Sequence, residues 1–417
     1  MNHQRTPLSI YGLAILILLV FAVIILVDYQ FASQRPGGYH FIEYWSSARA
    51  FLNEGKSPYS ASTQQEIRLQ AGELSIDNEN QSFYAAYPLY GIPLFLPFAL
   101  SPNYFVARLI WIVTLQAALG LLVWFSIKVT AWRTGQALGV LVLLFALTNV
   151  YSVIPVITGN VVVIVACLLV AALNAVRSGL DELAGILLAF STILTPPVLL
   201  LLLFILYWAA SSRRWRLFAW MTVSWLLLIA ASMLLIPDWP LQYSRTMIQY
   251  FQGARFTTLG SVLRTWWPGL GAQMGLAISG LLALILAAEW WLARKGDVRH
   301  MLWTASLTLV ASHWIGIPTS AENAALLLFP LFVVFATLEE HWGPRMRIAT
   351  LVMMLVLLVG LWAFVWSDIN QPDLPLSFPE LFFPLPMFLL VGLYWVRWRA
   401  IRPQRLLLSE LRARGEA

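Results

Sequence analysis

Residues 8–27 read LSIYGLAILILLVFAVIILV, an apolar run of 20 residues that contains no charged side chain. A helix needs about 20 such residues to cross the hydrocarbon core of a bilayer. Val27, Asp28 and Tyr29 at its end do not form the small-residue cleavage site of a signal peptide. We therefore expect this run to be a retained membrane-spanning helix.

The composition shows that the whole chain has this character. Of 417 residues, 60% are hydrophobic and 11% are charged, and the mean hydropathy is +0.75. Soluble domains carry about 25% charged residues. The net charge of +6 comes from bases clustered at the ends of apolar runs, a placement that reports membrane orientation. These features exclude a soluble protein and a nucleic-acid partner. The single cysteine, Cys167, allows no intramolecular disulfide.

Further apolar runs follow along the chain. They lie at residues 88–100, 105–127, 137–154, 161–176, 184–208, 217–236, 274–293, 301–317, 324–338, 348–366 and 384–396. With the first run, they predict an all-α polytopic membrane protein with about 12 transmembrane helices. We expect residues 1–417 to form one integral membrane domain.

The distribution of Lys and Arg predicts the orientation of these spans. An even number of spans places both termini on one side, and the basic tail at 399–417 makes that side the cytoplasm. Residues 28–82 and 237–272 then form two long outer loops. One basic segment does not fit this orientation, because Lys128 and Arg133 would lie on the outer side. The short run 88–100 contains Pro93 and Pro97, and the alternative to a full crossing is that it enters and leaves the membrane on the same side.

The first outer loop has helical patterns of its own. From Glu43 onward, apolar residues recur at helical spacing until Gly55, which is placed to end a helix. Thr63-Gln-Gln-Glu66 matches a capping box and predicts a second short helix that ends near Gly72. We expect two short interfacial helices in a structured loop, and a structured outer loop suggests a site.

Several stretches then resemble a known family. They are GGYHFIEYW at 37–45, GKSPY at 55–59, YPL at 87–89 and LPFALSP at 96–102, followed more weakly by TGN at 158–160, TP at 195–196 and PTSAEN at 318–323. In order and spacing they resemble glycosyltransferase family 87, whose opening pattern runs Asp-Phe-x-x-Tyr-Trp, Gly-x-x-Pro-Tyr and Tyr-Pro-Pro-Leu.

The resemblance implies a C-type glycosyltransferase fold in the plasma membrane. The donor it implies is a polyprenyl-phosphate sugar, with mannose or another hexose passing to a glycan, lipid or protein acceptor on the outer face. His40 stands where the family has a loop Asp that resembles a catalytic base. Asn160 replaces the family's Gln, and Thr195 replaces its Lys.

Sugar transfer to a hydroxyl needs a base that takes the acceptor's proton. A carboxylate or a neutral imidazole can do this, and an unperturbed histidine is mostly neutral at physiological pH. His40, or Glu43 about one helical turn later, is therefore the predicted catalytic base. The alternative is that His40 only hydrogen-bonds loop backbone.

The departing lipid phosphate needs positive charge, for which Arg is suited by its bidentate geometry. We predict donor-phosphate binding by Arg245, Arg255 and Arg264 in the second outer loop. His313, near the outer end of an apolar span, joins them as an ionisable residue at membrane depth. Each arginine could instead contact lipid headgroups, and a histidine as near the interface as His313 costs little even without a function.

Six polar and aromatic residues are the predicted substrate contacts. They are Tyr44, Trp45, Tyr59, Tyr87, Asn160 and Trp266. The sequence predicts no metal site, because its acidic residues form no Asp-x-Asp cluster and its five histidines are scattered. We expect no cofactor beyond the lipid-linked donor.

Two other functions are compatible with the sequence. A transporter or flippase would keep ionisable groups or broken helices near the bilayer midplane, and the predicted spans are almost free of charge. A non-catalytic, lipid-binding relative is the other possibility, since the loop Asp has been replaced.

Overall fold

The structure, a computed structural model, describes residues 38–74, 84–253, 257–316, 319–343, 345–368 and 379–401, together with residues 22, 23, 26, 29 and 30. Most of the predicted first span at 8–27, most of the basic tail and Arg255 lie outside these residues. The regular secondary structure of these residues consists of helices, apart from one isolated antiparallel β-bridge between Thr257 and Thr319.

The helices are named in chain order. They are α1 (Tyr39–Glu54), α2 (Ala61–Glu73), α3 (Ile92–Ala99), α4 (Tyr104–Thr130), α5 (Gln136–Thr148), α6 (Val150–Thr158), α7 (Val162–Arg177), α8 (Asp181–Ser191), α9 (Thr195–Ser211), α10 (Trp215–Leu235), α11 (Trp239–Gly253), α12 (Leu259–Trp266), α13 (Gly271–Ala293), α14 (Val298–Ser312), α15 (Leu328–Trp342), α16 (Arg345–Asp368) and α17 (Pro384–Ile401). Short 3-10 helices occupy Leu89–Gly91, Thr192–Leu194, Ala321–Leu327 and Pro379–Phe382.

Several of these helices are suited to crossing a membrane. Within the described residues, five are long and apolar enough, namely α4, α10, α13, the continuous stretch Ala321–Trp342, and α16 over Arg345–Trp366. The pair α5 and α6, bent by 50°, adds a sixth if it is one broken span. The protein is thus an all-α, multi-pass membrane protein, as predicted. The count of about 12 spans remains a prediction.

The bend between α5 and α6 has a local cause. Asn149 between them is extended, with ψ 141°, and its side chain accepts the amide proton of Tyr151 to cap α6. The extended residue interrupts the helical hydrogen bonds, and the Asn cap compensates by satisfying a free N–H of the new helix.

Two predicted spans differ from the structure. The run at 88–100 is a 3-10 turn followed by α3, which has eight residues and Pro97 inside it. Eight helical residues rise only about 12 Å, too little to cross a bilayer. The run at 184–208 is broken at Thr192–Leu194 into α8 and α9. The prolines of α9 stand at its first turn, where a missing N–H is tolerated.

Several basic residues of the described chain gather at one end of the helices. Arg299 pairs with Glu340 at 2.9 Å, Arg347 pairs with Glu339, and Arg397 pairs with Glu289 at 2.8 Å. Arg177 donates to the carbonyl of Val129, and Arg347 to the carbonyl of Arg133 at 3.4 Å. We call Arg133, Arg177, Arg299, Arg347 and Arg397 with their partners the arginine-rich end.

This arrangement corrects the placement of Lys128 and Arg133. Trp132, between them, donates its indole N–H to Glu339 at 2.7 Å, so their segment lies at the arginine-rich end. The predicted disagreement arose because the run at 88–100 was counted as a crossing. Removing that crossing brings Lys128 and Arg133 to the same end as the other basic residues. The run at 184–208 compensates by folding back, since Arg214 after α9 lies 3.5 Å from Asp181 at the start of α8.

The first loop helix is buried inside the fold. All residues from Phe41 to Ala48 are buried, and α1 packs against α2, α3, α4 and α6. It begins at Tyr39, earlier than the pattern predicted, and ends as predicted at Gly55, which has φ +62°. The expectation of a helix resting on the membrane surface is therefore wrong for α1.

The start of α2 also differs from the prediction. Ser60, rather than Thr63, caps it, because the Ser60 side chain accepts the amide proton of Thr63 at 3.2 Å. Thr63 is instead fully buried, and its hydroxyl donates to the carbonyl of Ser57 at 2.9 Å. The Thr63-to-Glu66 pattern lay one turn inside the helix.

Gly159 fixes the approach of α6 to α1. It has φ +75° after α6, and a Cβ there would lie 2.5 Å from Cβ of Phe41. Its carbonyl accepts the indole N–H of the fully buried Trp111 at 2.9 Å. Both the left-handed backbone and the close contact require glycine.

We predict that Gly159→Ala is more destabilising than Gly179→Ala. Gly179 has φ +76° but open space around its Cβ position, so its substitution carries only the left-handed penalty of about 1 kcal/mol. Gly159→Ala should lose about 2 kcal/mol more through overlap with Phe41. Thermal unfolding of the purified protein in detergent measures both. Equal shifts would contradict the proposed tight contact.

Candidate active site

The first turn of α1 presents three polar side chains. Gly38 precedes the helix with φ +84°, and its carbonyl accepts the Tyr104 hydroxyl proton at 3.1 Å. Tyr39 and His40 follow at once, and Glu43 lies three residues after His40. On a helix this spacing places His40 and Glu43 on the same face.

Glu322 meets this turn from a distant part of the chain. Its Oε2 lies 2.8 Å from Nε2 of His40 and accepts the side-chain amide proton of Asn160 at 2.7 Å. Its Oε1 accepts the hydroxyl proton of Tyr39. The Glu322 side chain is only 4% exposed. We call Tyr39, His40, Glu43, Asn160 and Glu322 the His40 cluster.

Glu43 is held more loosely than Glu322. Its Oε1 accepts the backbone N–H of Tyr84 at 3.2 Å, and its Oε2 lies 3.4 Å from Nδ1 of His40. The imidazole of His40 is therefore placed between two carboxylates, with a shorter contact to Glu322 than to Glu43.

These neighbours determine the charge of His40. Burial alone would lower the pKa of its imidazole, but the Glu322 carboxylate and its hydrogen bond outweigh burial and raise the pKa to about 10. Burial raises the pKa of Glu43, while the contact with His40 opposes that rise. His40 is thus an imidazolium at neutral pH, whereas the sequence alone indicated a neutral ring.

The segment at 237–272 packs against the same region. Ser57 donates to the side chain of Gln242 on α11, and the rings of Tyr59 and Tyr243 are 5.9 Å apart. Burial raises the pKa of the Tyr250 hydroxyl, and the charges of Glu43 and Glu322 raise it further. Tyr250 therefore lies within electrostatic reach of both carboxylates.

The predicted phosphate-binding residues do not all join the cluster. Arg245 on α11 and Arg264 on α12 are exposed, while Arg255 lies outside the described residues. His313 is buried at the end of α14, and its Nδ1 lies 3.1 Å from the carbonyl of Leu309 in the same helix. Their binding of donor phosphate remains a prediction.

Four predicted substrate contacts lie in the protein interior. Tyr44 stacks on Phe95 with ring centroids 4.4 Å apart, and Trp45 donates to the carbonyl of Ser101 at 3.2 Å. The Tyr59 hydroxyl donates to the carbonyl of Tyr87 at 2.8 Å. None of Tyr44, Trp45, Tyr59 and Tyr87 is more than 6% exposed. In this structure Tyr44 and Trp45 belong to α1 itself, and all four rings pack in the same hydrophobic core.

The other two predicted contacts have different surroundings. Asn160 belongs to the His40 cluster through its bond to Glu322. Trp266 is 47% exposed, and its ring stacks on Phe383 with centroids 5.1 Å apart. It is available to a ligand, but the structure gives no contact between it and the cluster.

Glu322 was not among the predicted site residues. The stretch at 318–323 had been chosen only as a weak family match, although it places a carboxylate immediately before the apolar run at 326–330. A charge so close to a span is uncommon unless it has a partner or a function, and that was the available signal. Within the described part of the chain, no three potential metal ligands lie close enough to hold an ion.

A comparison with protein families identifies the chain. The family model for glycosyltransferase family 87 matches residues 84–318. The chain belongs to glycosyltransferase family 87. No curated protein and no solved structure matches it. The family 87 match includes Tyr84, Asn160 and Tyr250, and it lies between the segments that carry His40 and Glu322.

We predict that His40 makes the stability of this family 87 protein depend on pH. Because the pKa of His40 is higher in the folded state, its protonation stabilises the fold, and this stabilisation is complete below the pKa of the unfolded state, near 6.5. The stabilisation is lost as the pH rises towards the pKa of the folded state, about 10. Stability should therefore fall by about 1 kcal/mol per pH unit in that window.

Unfolding midpoints measured across this window check the prediction. His40→Gln should remove this component of the slope, whereas His341→Gln, at the far end of α15, should keep it. The same slope in wild type and His40→Gln would contradict the assigned charge of His40.

Proposed function

We propose that this membrane glycosyltransferase transfers a hexose, with mannose as the first candidate, from a polyprenyl-phosphate donor to an acceptor hydroxyl. The observation that carries the proposal is the buried His40 cluster. Two carboxylates and an imidazole inside a membrane protein cost several kcal/mol each in desolvation. Such groups with perturbed pKa values are candidates for catalysis.

The proposed reaction follows from the charges of the cluster. The acceptor O–H bond breaks, and its proton passes to the Glu43 carboxylate. The acceptor oxygen forms a bond to the anomeric carbon while the bond from that carbon to the phosphate oxygen breaks. Its electron pair leaves with polyprenyl phosphate. His40, already protonated, does not serve as the base at neutral pH.

The two ends of the molecule support an outer location for this chemistry. Asn160 and Glu322 stand before α7 and α15, whereas Arg177 and Glu340 stand at the other ends of these helices. Basic residues favour the cytoplasmic side of a membrane. We therefore place the His40 cluster on the outer side of the plasma membrane, with both termini in the cytoplasm.

A transporter is less consistent with the buried charges. In the described residues the buried acidic, basic and histidine side chains are Glu43, Arg108, Glu289, His313, Glu322 and Glu339. Arg108 lies beside Gly38, at the end that carries the His40 cluster. Glu289 and Glu339 are paired at the arginine-rich end. Transporters place such groups near the midplane, so the distribution favours an enzyme whose site opens at one face.

The partners that we propose are a polyprenyl-phosphate sugar, surrounding membrane lipids, and a glycan, lipid or protein acceptor. The exposed Arg245, Arg264 and Trp266 lie on α11 and α12, which follow one another in the segment that packs on the cluster region. They are candidates for contacts with the lipid donor. The reaction needs no cofactor, because the donor is already activated by its phosphate.

We predict that Glu43→Gln lowers the rate of sugar transfer by about a hundredfold or more, because the amide cannot take the acceptor's proton. Glu54→Gln, on the same helix, is the matched control, since Glu54 is exposed and paired only with Lys56. Transfer from polyprenyl-phosphate mannose to membrane acceptors measures both. Full activity in Glu43→Gln would exclude Glu43 as the base.

The membrane sidedness gives a separate prediction. In a cysteine-free parent carrying Cys167→Ala, Gln252→Cys on α11 should react with a membrane-impermeant maleimide added to intact cells. Arg133→Cys should react only after permeabilisation, since it lies at the arginine-rich end. The reverse pattern would place the His40 cluster in the cytoplasm and contradict the proposed donor.

A further inference from the structure

We propose that Glu322 is a positioning residue that holds His40 as a cation, and that this cation binds the phosphate of the lipid-linked donor. The inference rests on the proposed function and assigns separate tasks within its site. Glu43 takes the proton, His40 contacts the phosphate, and Glu322 acts only through His40.

The hydrogen bonds of Glu322 show why it is unsuited to be a base. Its carboxylate accepts protons from Tyr39 and Asn160 and contacts His40 at 2.8 Å, and the Ser320 hydroxyl lies at 3.4 Å. A carboxylate that accepts several hydrogen bonds is stabilised in its charged form. Protonating it would sacrifice these bonds, so Glu322 remains a fixed negative charge.

The two nitrogens of His40 have different surroundings. Nε2 has the short contact to Glu322, whereas Nδ1 has a 3.4 Å contact to Glu43. The His40 side chain is 15% exposed, compared with 7% for Glu43 and 4% for Glu322. His40 is therefore the most accessible member of the three, and a phosphate oxygen can replace the weak Nδ1 contact. The charged hydrogen bond that forms is stronger than a neutral one.

The remaining groups around His40 are acidic or neutral. Glu43 and the phenols of Tyr39 and Tyr44 come from α1, Glu322 comes from the turn before α15, and Tyr250 comes from α11. Arg108 of α4 lies beside Gly38 and Tyr104, so among the described groups that contact the cluster His40 is the one cation. Phosphate binding by the cluster therefore depends on the charge of His40, which in turn depends on Glu322.

The replacement Glu322→Gln separates charge from shape. The amide keeps the size of the side chain and one acceptor oxygen, but it removes the charge that opposes the effect of burial on His40. His40 should then become neutral near pH 7, and phosphate binding should require a more acidic solution. Glu322→Asp keeps the charge and should rescue binding in part.

The experiment uses the full chain in lipid nanodiscs, with polyprenyl phosphate as the binding probe and polyprenyl-phosphate mannose for transfer. The probe's own second ionisation lies near pH 6, so affinities from about pH 6 to about pH 8 are expressed relative to wild type at the same pH. Glu322→Gln should bind at least about tenfold more weakly at the upper pH than at the lower one. Adding His40→Lys to Glu322→Gln should restore binding at the upper pH, because lysine supplies a charge that does not need Glu322.

The outcomes separate this inference from the proposed function. Wild type that transfers sugar while Glu322→Gln binds the probe without pH dependence would overturn the role of Glu322 alone. Wild type that neither binds the probe nor transfers sugar would overturn both proposals. If Glu322→Gln does not fold, probe binding is compared between His40→Lys and His40→Gln in the wild-type background. Equal probe binding by these two variants would exclude a phosphate-binding cation at His40.

Discussion

The carboxylate of Glu322 joins three parts of the chain that are far apart in sequence. It accepts hydrogen bonds from Tyr39 on α1 and from Asn160 between α6 and α7, and it pairs with His40. A buried charge of this kind is destabilising without partners and tolerable with them. The rest of the site depends on these hydrogen bonds, because the contacts that stabilise the buried Glu322 carboxylate also hold His40 between two acids.

The surrounding fold keeps α1 in the position that this contact needs. Gly159 allows α6 to approach Phe41 closely, and Trp111 ties the Gly159 carbonyl to α4. At the opposite end of the helices, ion pairs such as Arg299–Glu340 and Arg397–Glu289 join neighbouring segments. The His40 cluster and the arginine-rich end thus lie at opposite ends of the helices, and this polarity is the basis of the proposed orientation in the membrane.

Sequence patterns correctly predicted those features of the fold that depend on local composition. Apolar runs identified the helical, membrane-embedded class, and Gly55 correctly marked the end of α1. They marked the short run 88–100, with Pro93 and Pro97, as either a span or a re-entrant segment. They did not show that the run at 184–208 breaks at Thr192–Leu194. The pairing of Glu322 with His40, and the charge that it gives His40, could not be predicted for another reason, since the two residues are 282 positions apart in sequence.

The most direct test of this account is an electron cryo-microscopy structure of the protein in nanodiscs with a non-transferable analogue of a polyprenyl-phosphate sugar. The account requires the phosphate within hydrogen-bond distance of His40, about 3 Å, and the anomeric carbon on the side of Glu43. An analogue whose phosphate lies at the arginine-rich end, or one that leaves the His40 cluster untouched, would contradict it.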